Sequence, residues 1–175
     1  NYKTADTSKA SFAALFAYCT VLTSAPDLPA MTLSPYCYES MFTGCTALVK
    51  APDLPATKMA ESCYGVMFYG CTALVKAPDL PATELAVNCY SGMFINCSKL
   101  STVTMLATSD AITKYDYCLA DWLTDAGTEA KTRTLQLKDK DAYEALKTKD
   151  CLPDNWLIGS EGTTVLDERN AKITQ

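Results

Sequence analysis

Residues 44–57 read GCTALVKAPDLPAT, and residues 70–83 repeat the same fourteen letters. The stretch before each copy's Gly keeps its apolar pattern while changing its residues, as KMAESCYGVMFY at 58–69 and ELAVNCYSGMFI at 84–95 show. Outward from this pair the step holds: Phe16, Phe42, Phe68 and Phe94 fall 26 residues apart, as do Cys19, Cys45, Cys71 and Cys97. A fixed period of this size marks stacked repeats, in which a unit with an uncovered apolar edge buries it only against its neighbours. The expected fold is an α/β, leucine-rich-repeat-like, right-handed solenoid with one short parallel strand and one short helix per 26-residue rung. Residues 1–108 then form the solenoid of about four rungs, the first partial, and residues 109–175 an irregular last rung and polar C-terminal cap packed on it.

Within a rung, Leu85, Cys89, Met93 and Cys97, with Ala86, Tyr90 and Phe94 beside them, recur at spacings of three and four, which predicts a helix of about three turns. Thr83 is its expected N-cap, with Thr57 and Thr32 or Ser34 in the equivalent places. Gly44, Gly70 and Asn96 are expected at the helix ends because they tolerate the left-handed conformation. Short strands are predicted at 22–25, 48–51, 74–77 and 100–103, stacked as a parallel sheet about 4.8 Å apart. Pro52 and Pro55 lack an N–H for the ladder and should end the second of these strands. In the first rung Ser11, Phe12, Leu15, Phe16 and Cys19 hold the places later taken by Cys37, Tyr38, Met41, Phe42 and Cys45. Further on, 135–137 predicts a last strand and 141–149 a helix, with Glu144 completing a capping box.

Charge divides the chain. Residues 1–100 carry six Lys and seven acidic side chains, against nine basic and thirteen acidic in 101–175. A polar end is what a stack needs to keep its last core and strand edge from water. The net charge of −5 argues against nucleic acid, whose partners present a basic patch, and against acidic membrane surfaces. No stretch approaches the roughly 20 apolar residues of a membrane span. Asn1 is preceded by neither a signal peptide nor an initiator Met, so a leader, a lipid anchor or further repeats are expected to have been trimmed.

The run MFxGCTALVKAPDLPAT followed by LAxxCY resembles the BspA-like leucine-rich repeats of gut Bacteroidetes surface proteins, over residues 12–106. Cys118 to Leu123 and Leu152 to Trp156 look like that family's end region. The resemblance implies a secreted or outer-surface protein with a part in adhesion and host interaction, and implies no catalytic residues.

Nine cysteines in such a setting would ordinarily suggest a disulfide framework. Cys37 and Cys45 on one helix would be about 12 Å apart, and packed helices stand roughly 8–10 Å apart, both beyond disulfide reach. Two buried thiol columns are expected instead, Cys19, Cys45, Cys71 and Cys97 beside Cys37, Cys63 and Cys89, with a metal or redox use as the alternative. Cys118 and Cys151 fall outside the strict columns and leave open a bridge tying cap to last rung. The chain has no histidine, which removes Ser-His-Asp and Cys-His catalysis. Asp121 with Asp125, or Asp139 with Asp141, could be nominated as paired acids, against the reading that they are polar residues at helix ends. The expected protein is therefore no enzyme and carries neither cofactor nor metal.

Asp27, Asp53 and Asp79 form a column, with Lys50 and Lys76 three residues before the latter two. They are the candidate ligand surface, either a polar or cation-binding stripe or turn aspartates bonded to local backbone. Tyr38, Tyr64 and Tyr90 are either a contact face or inter-rung packing with the hydroxyls at the surface. The expected activity is binding or adhesion toward a host or microbial protein or glycan by a monomer outside the cell. The alternative is a structural spacer of a larger surface protein.

Overall fold

Proline decides where a sheet can form. Pro52 with Pro55, and Pro78 with Pro81, interrupt both copies of the repeat, whereas one period later the same positions are Thr104 and Ala107. The computed structural model, which describes residues 11–154 and 156–160, places a strand only where the prolines are gone. That strand is β1 (Thr102–Met105), followed by α1 (Ser109–Lys114), β2 (Thr134–Leu137), α2 (Lys140–Thr148) and β3 (Leu157–Ser160). The three strands form a parallel sheet in the order β1-β2-β3, with Thr102 opposite Thr134 and Thr134 opposite Leu157. Alternation sets its faces: Val103, Met105, Leu135 and Leu137 are buried, while Thr102, Thr104, Thr134 and Gln136 are half-exposed.

Of the four strands predicted in the repeats, the last forms, moved two residues on. The others shrink to isolated parallel bridges, Ser24 with Lys50 and Lys76 with Thr102, because a donor is lost within two residues of each. The strand predicted at 135–137 is β2. The predicted helix at 141–149 is α2, but its cap is Asp139, which accepts from the Ala142 N–H at 2.8 Å. Ala142 therefore holds the third helical position and Glu144 makes no capping box. α1 is capped by Thr108 and packs against α2.

The repeat helices are replaced by something else. No α-helix lies between residues 11 and 101. Along 35–44, 61–70 and 87–96 the chain is a ribbon of successive turns with a positive φ every fourth residue: Tyr36, Ser40 and Gly44, then Ser62, Val66 and Gly70, then Asn88, Gly92 and Asn96. Its hydrogen bonds alternate. Cys37, Glu39, Met41 and Thr43 donate three residues back, while Tyr36, Tyr38, Ser40, Phe42 and Gly44 donate to carbonyls 25 residues ahead, in the next copy. Half of the backbone donors thus close turns and half join copies, so every one is used without a helix or a regular strand.

The side-chain period is four, not 3.6. Cys37–Tyr38, Met41–Phe42 and Cys45 are buried and the residues between them are less so. Over three turns a period of four is indistinguishable by eye from a helical stripe, which is why the sequence pattern predicts helices here. Gly44, Gly70 and Asn96 do adopt the left-handed conformation expected of them, as members of the fourth-residue series and not as helix stops.

Copies stack through columns of like side chains. Phe16, Phe42, Phe68 and Phe94 lie with successive centroids 5.6, 5.7 and 5.6 Å apart and nearly parallel rings. Phe12, Tyr38, Tyr64 and Tyr90 form a second column at 5.8 to 6.1 Å. Phe42, Phe68 and Phe94 are fully buried, whereas Phe16, with one stacking neighbour among the described residues, is half-buried and Leu15 is 57 % exposed. The ladder then continues with a jump: Tyr90, Gly92, Phe94 and Asn96 donate to Cys118, Ala120, Trp122 and Thr124, three residues further along than the strict step.

Candidate ligand-binding surface

Two prolines per copy hold the segment after each ribbon extended, and its polar residues face outward. Asp27, Asp53, Asp79, Lys50 and Lys76 are all exposed. Lys76 Nζ lies 3.9 Å from Asp79 Oδ1 within one copy. Beside these charged residues the surface changes character: Val49 and Val75, one period apart, are 58 % and 50 % exposed. The bridge between Lys76 and Thr102, with Thr102 opposite Thr134, sets the stripe in line with the half-exposed face of the sheet. That face opens into a groove of about 550 Å³ beginning at Pro81 and floored by Thr104, Leu106 and Gln136, with Lys138 at its far side.

The lysines and aspartates are legible as columns. Thr104 and Gln136 belong to no column of like residues, although the alternation in TVTM and TLQL marks them as outward-facing once the strands are placed; Leu106 continues the column of Leu28, Leu54 and Leu80 but is exposed where they are buried. A further cross-copy ion pair, Lys58 with Glu84 at 2.9 Å, and the Tyr36 hydroxyl donating to Glu61 Oε1 at 2.6 Å also lie on the surface. Glu61 raises the Tyr36 phenol above its ordinary value through that hydrogen bond.

The thiol and aromatic columns belong to the interior. Cys37, Cys45, Cys63, Cys71, Cys89 and Cys97 are fully buried and Cys19 is half-buried. The Sγ of Cys45, Cys71 and Cys97 each donates to the carbonyl of Phe16, Phe42 or Phe68 in the preceding copy, at 3.0, 3.2 and 3.0 Å. Copies joined by backbone hydrogen bonds stand closer than packed helices, so distance is not what keeps these thiols unbridged. All nine cysteines are free, including Cys118 and Cys151. Burial pushes the thiols of Cys89 and Cys97 up to about 12 and that of Cys118 to about 11, which leaves almost no thiolate to react. Cys118 is not outside the columns: it accepts at its carbonyl from the Cys89 thiol at 3.8 Å and from the Tyr90 N–H, and so extends the column of Cys37, Cys63 and Cys89 across the three-residue jump.

Tyr64 and Tyr90 are buried, which corrects the expectation of surface hydroxyls, and the Tyr64 hydroxyl has no hydrogen-bond partner. Stacking in register holds each ring directly over the next, so the hydroxyls cannot swing out. Among the nominated acids, Asp139 is the α2 cap, Asp141 lies exposed in its first turn, and Asp121 and Asp125 occupy positive-φ places in the last ribbon. No cluster of three or more metal-ligating side chains occurs among the described residues. No helix among them is long and apolar enough to cross a membrane. No family model, curated protein or solved structure matches the chain.

Proposed function

We propose that the chain is a non-enzymatic recognition module, a BspA-like right-handed solenoid of about four rungs displayed outside the cell, that holds a protein or glycan along its repeat face. The ladder of hydrogen bonds and stacked rings between copies supports the solenoid reading, since each copy repeats its neighbour's contacts. One observation carries the binding reading: Val49–Lys50 and Val75–Lys76 present the same apolar and charged pair at one step, in line with a mainly apolar groove at Thr104, Leu106 and Gln136. Repeat surfaces of this kind bind over an extended area and not in a deep pocket.

A glycan and host-protein screen with the purified chain, beside the triple variant Lys50→Glu, Lys76→Glu, Gln136→Ala, tests it. A ligand held by the chain and lost with the variant supports the reading. The unbroken phenylalanine stack favours a second one, a stiff spacer with no ligand of its own, and silence from both proteins in the screen selects it.

A further inference from the structure

In each ribbon the N–H groups of alternate residues point onward to the next copy. The last ribbon keeps this conformation: Asp121 and Asp125 have φ of 53° and 54°, where their counterparts Gly92 and Asn96 have 60° and 59°. The N–H groups of Leu119, Asp121, Leu123 and Asp125 therefore face the same way, and among the described residues none of the four has an acceptor. No further ribbon among the described residues covers them; in its place lies the stretch 150–154, between α2 and β3. It reaches the row at Trp122, whose Nε1 donates to the Cys151 carbonyl at 2.9 Å. Elsewhere it stands off and leaves a cavity of about 410 Å³, walled by residues 121–126 on one side and by 150–154 with Trp156 on the other.

Unpaired backbone donors two residues apart are the complement of an extended chain, whose carbonyls recur at the same step. The occupant's charge follows from the walls, where Asp121, Asp125, Asp150 and Asp154 outnumber the cation Arg133. We infer that this cavity is a docking groove for an extended peptide segment of a partner protein bearing lysine or arginine side chains. Its carbonyls accept from Asp121, Leu123 and Asp125, and its basic side chains meet the aspartates. The donor row defines the groove, and the carboxylates only select the sign of what enters. No residue of the repeat face takes part, so the groove stands or falls apart from ligand binding there.

The test is an amide-resolved NMR titration of the full chain with the acetylated, amidated pentapeptide KTKTK, and with ETETE as its counterpart. The expected result is a saturable shift of the Asp121, Leu123 and Asp125 amides with KTKTK alone, weakened about threefold to tenfold in the exposed double variant Asp150→Asn, Asp154→Asn. An equal response to ETETE, a response confined to other amides, or none up to millimolar peptide overturns the proposal. So does strong hydrogen-exchange protection of those three amides in the free chain, which would show that the chain supplies its own acceptors.

Discussion

The two ends of this molecule bury their cores by different means. Residues 35–99 do it with near-identical copies, in which like stacks on like and turns replace secondary structure. Residues 102–160 do it with β1-α1-β2-α2-β3, unequal spacings and few aromatic stacks. The difference teaches what a backbone needs in order to stack. Regular strands and helices are one way to satisfy its donors, and a ribbon that sends every second N–H to the next copy is another. The second way demands positive φ every fourth residue, which the chain supplies with Gly and Asn at some places and with Ser, Tyr, Val and Asp at others.

The largest expected effect concerns the thiols, which the repeats hold in greater number. Burial raises Cys63, Cys71, Cys89 and Cys97 above their ordinary value of 9.0, the last two to about 12. The fold favours the neutral thiol, so this stabilisation is whole below pH 9 and is lost as pH climbs from 9 toward 12. Each thiol should weaken the fold by about 1.4 kcal/mol per pH unit, and four together by about 5, enough to exhaust a domain's stability within two units. Both tryptophans, Trp122 and Trp156, lie in the C-terminal region, so their fluorescence reports that half while far-UV dichroism weighs both. Coincident midpoints between pH 9 and 12 are expected, because the Tyr90 to Asn96 ladder joins the halves. A tryptophan transition lagging by more than about one pH unit would divide the molecule in two.

Next in size is the phenylalanine column. Phe68→Ala removes a fully buried ring that stacks on both sides and should cost about 3–5 kcal/mol, while Phe16→Ala, half-buried, should cost about half that. Denaturant titration separates them. Equal losses would mean that the stack has no ends, and a loss below about 1 kcal/mol at Phe68 would mean that its ring is not held as described. On the other side of the comparison, Trp122→Phe keeps an aromatic ring but deletes the donor to the Cys151 carbonyl, and should cost about 2 kcal/mol.

Periodicity made the repeats legible and hid their conformation. The columns of Phe, Tyr and Cys could be read because stacking places like residues over like. The helix reading failed because two buried pairs, Cys37–Tyr38 and Met41–Phe42, followed by the buried Cys45, cannot separate a period of 3.6 from one of 4. A clue was present: Ser40, Val66 and Gly92 share one position in three copies, and a glycine there has no place in a helix interior. In the C-terminal region β2 and α2 were legible from alternation and from an amphipathic run, whereas the place of Cys118 was not, since a three-residue insertion breaks the period. Of the candidate surface, the charged columns could be read. The groove could not, because it joins residues from β1 and β2 that are 32 positions apart. The donor row at 119–125 has no sequence signal, since any residue but proline carries the same N–H.

The smallest effect tests the conformation itself. Val66 has φ of 46°, which a β-branched residue seldom tolerates, while the equivalent Ser40 and Gly92 have 56° and 60°. A helical ribbon would lose stability on Val66→Asn, since neither residue favours a helix and the valine's contacts are forfeited. A ribbon with a left-handed residue here should gain, because asparagine accepts that conformation readily. The expected gain is about 0.5–1 kcal/mol in denaturant, partly offset by the contact between Val66 and Gly92, whose added Cβ would lie 2.8 Å from Val66 Cγ1. That same closeness predicts coupling: Gly92→Ala alone should destabilise, and less so when residue 66 is asparagine, whose Cβ carries a single γ carbon that can turn away from the place of the valine Cγ1. Additive effects at the two sites would place these copies further apart than the ladder requires.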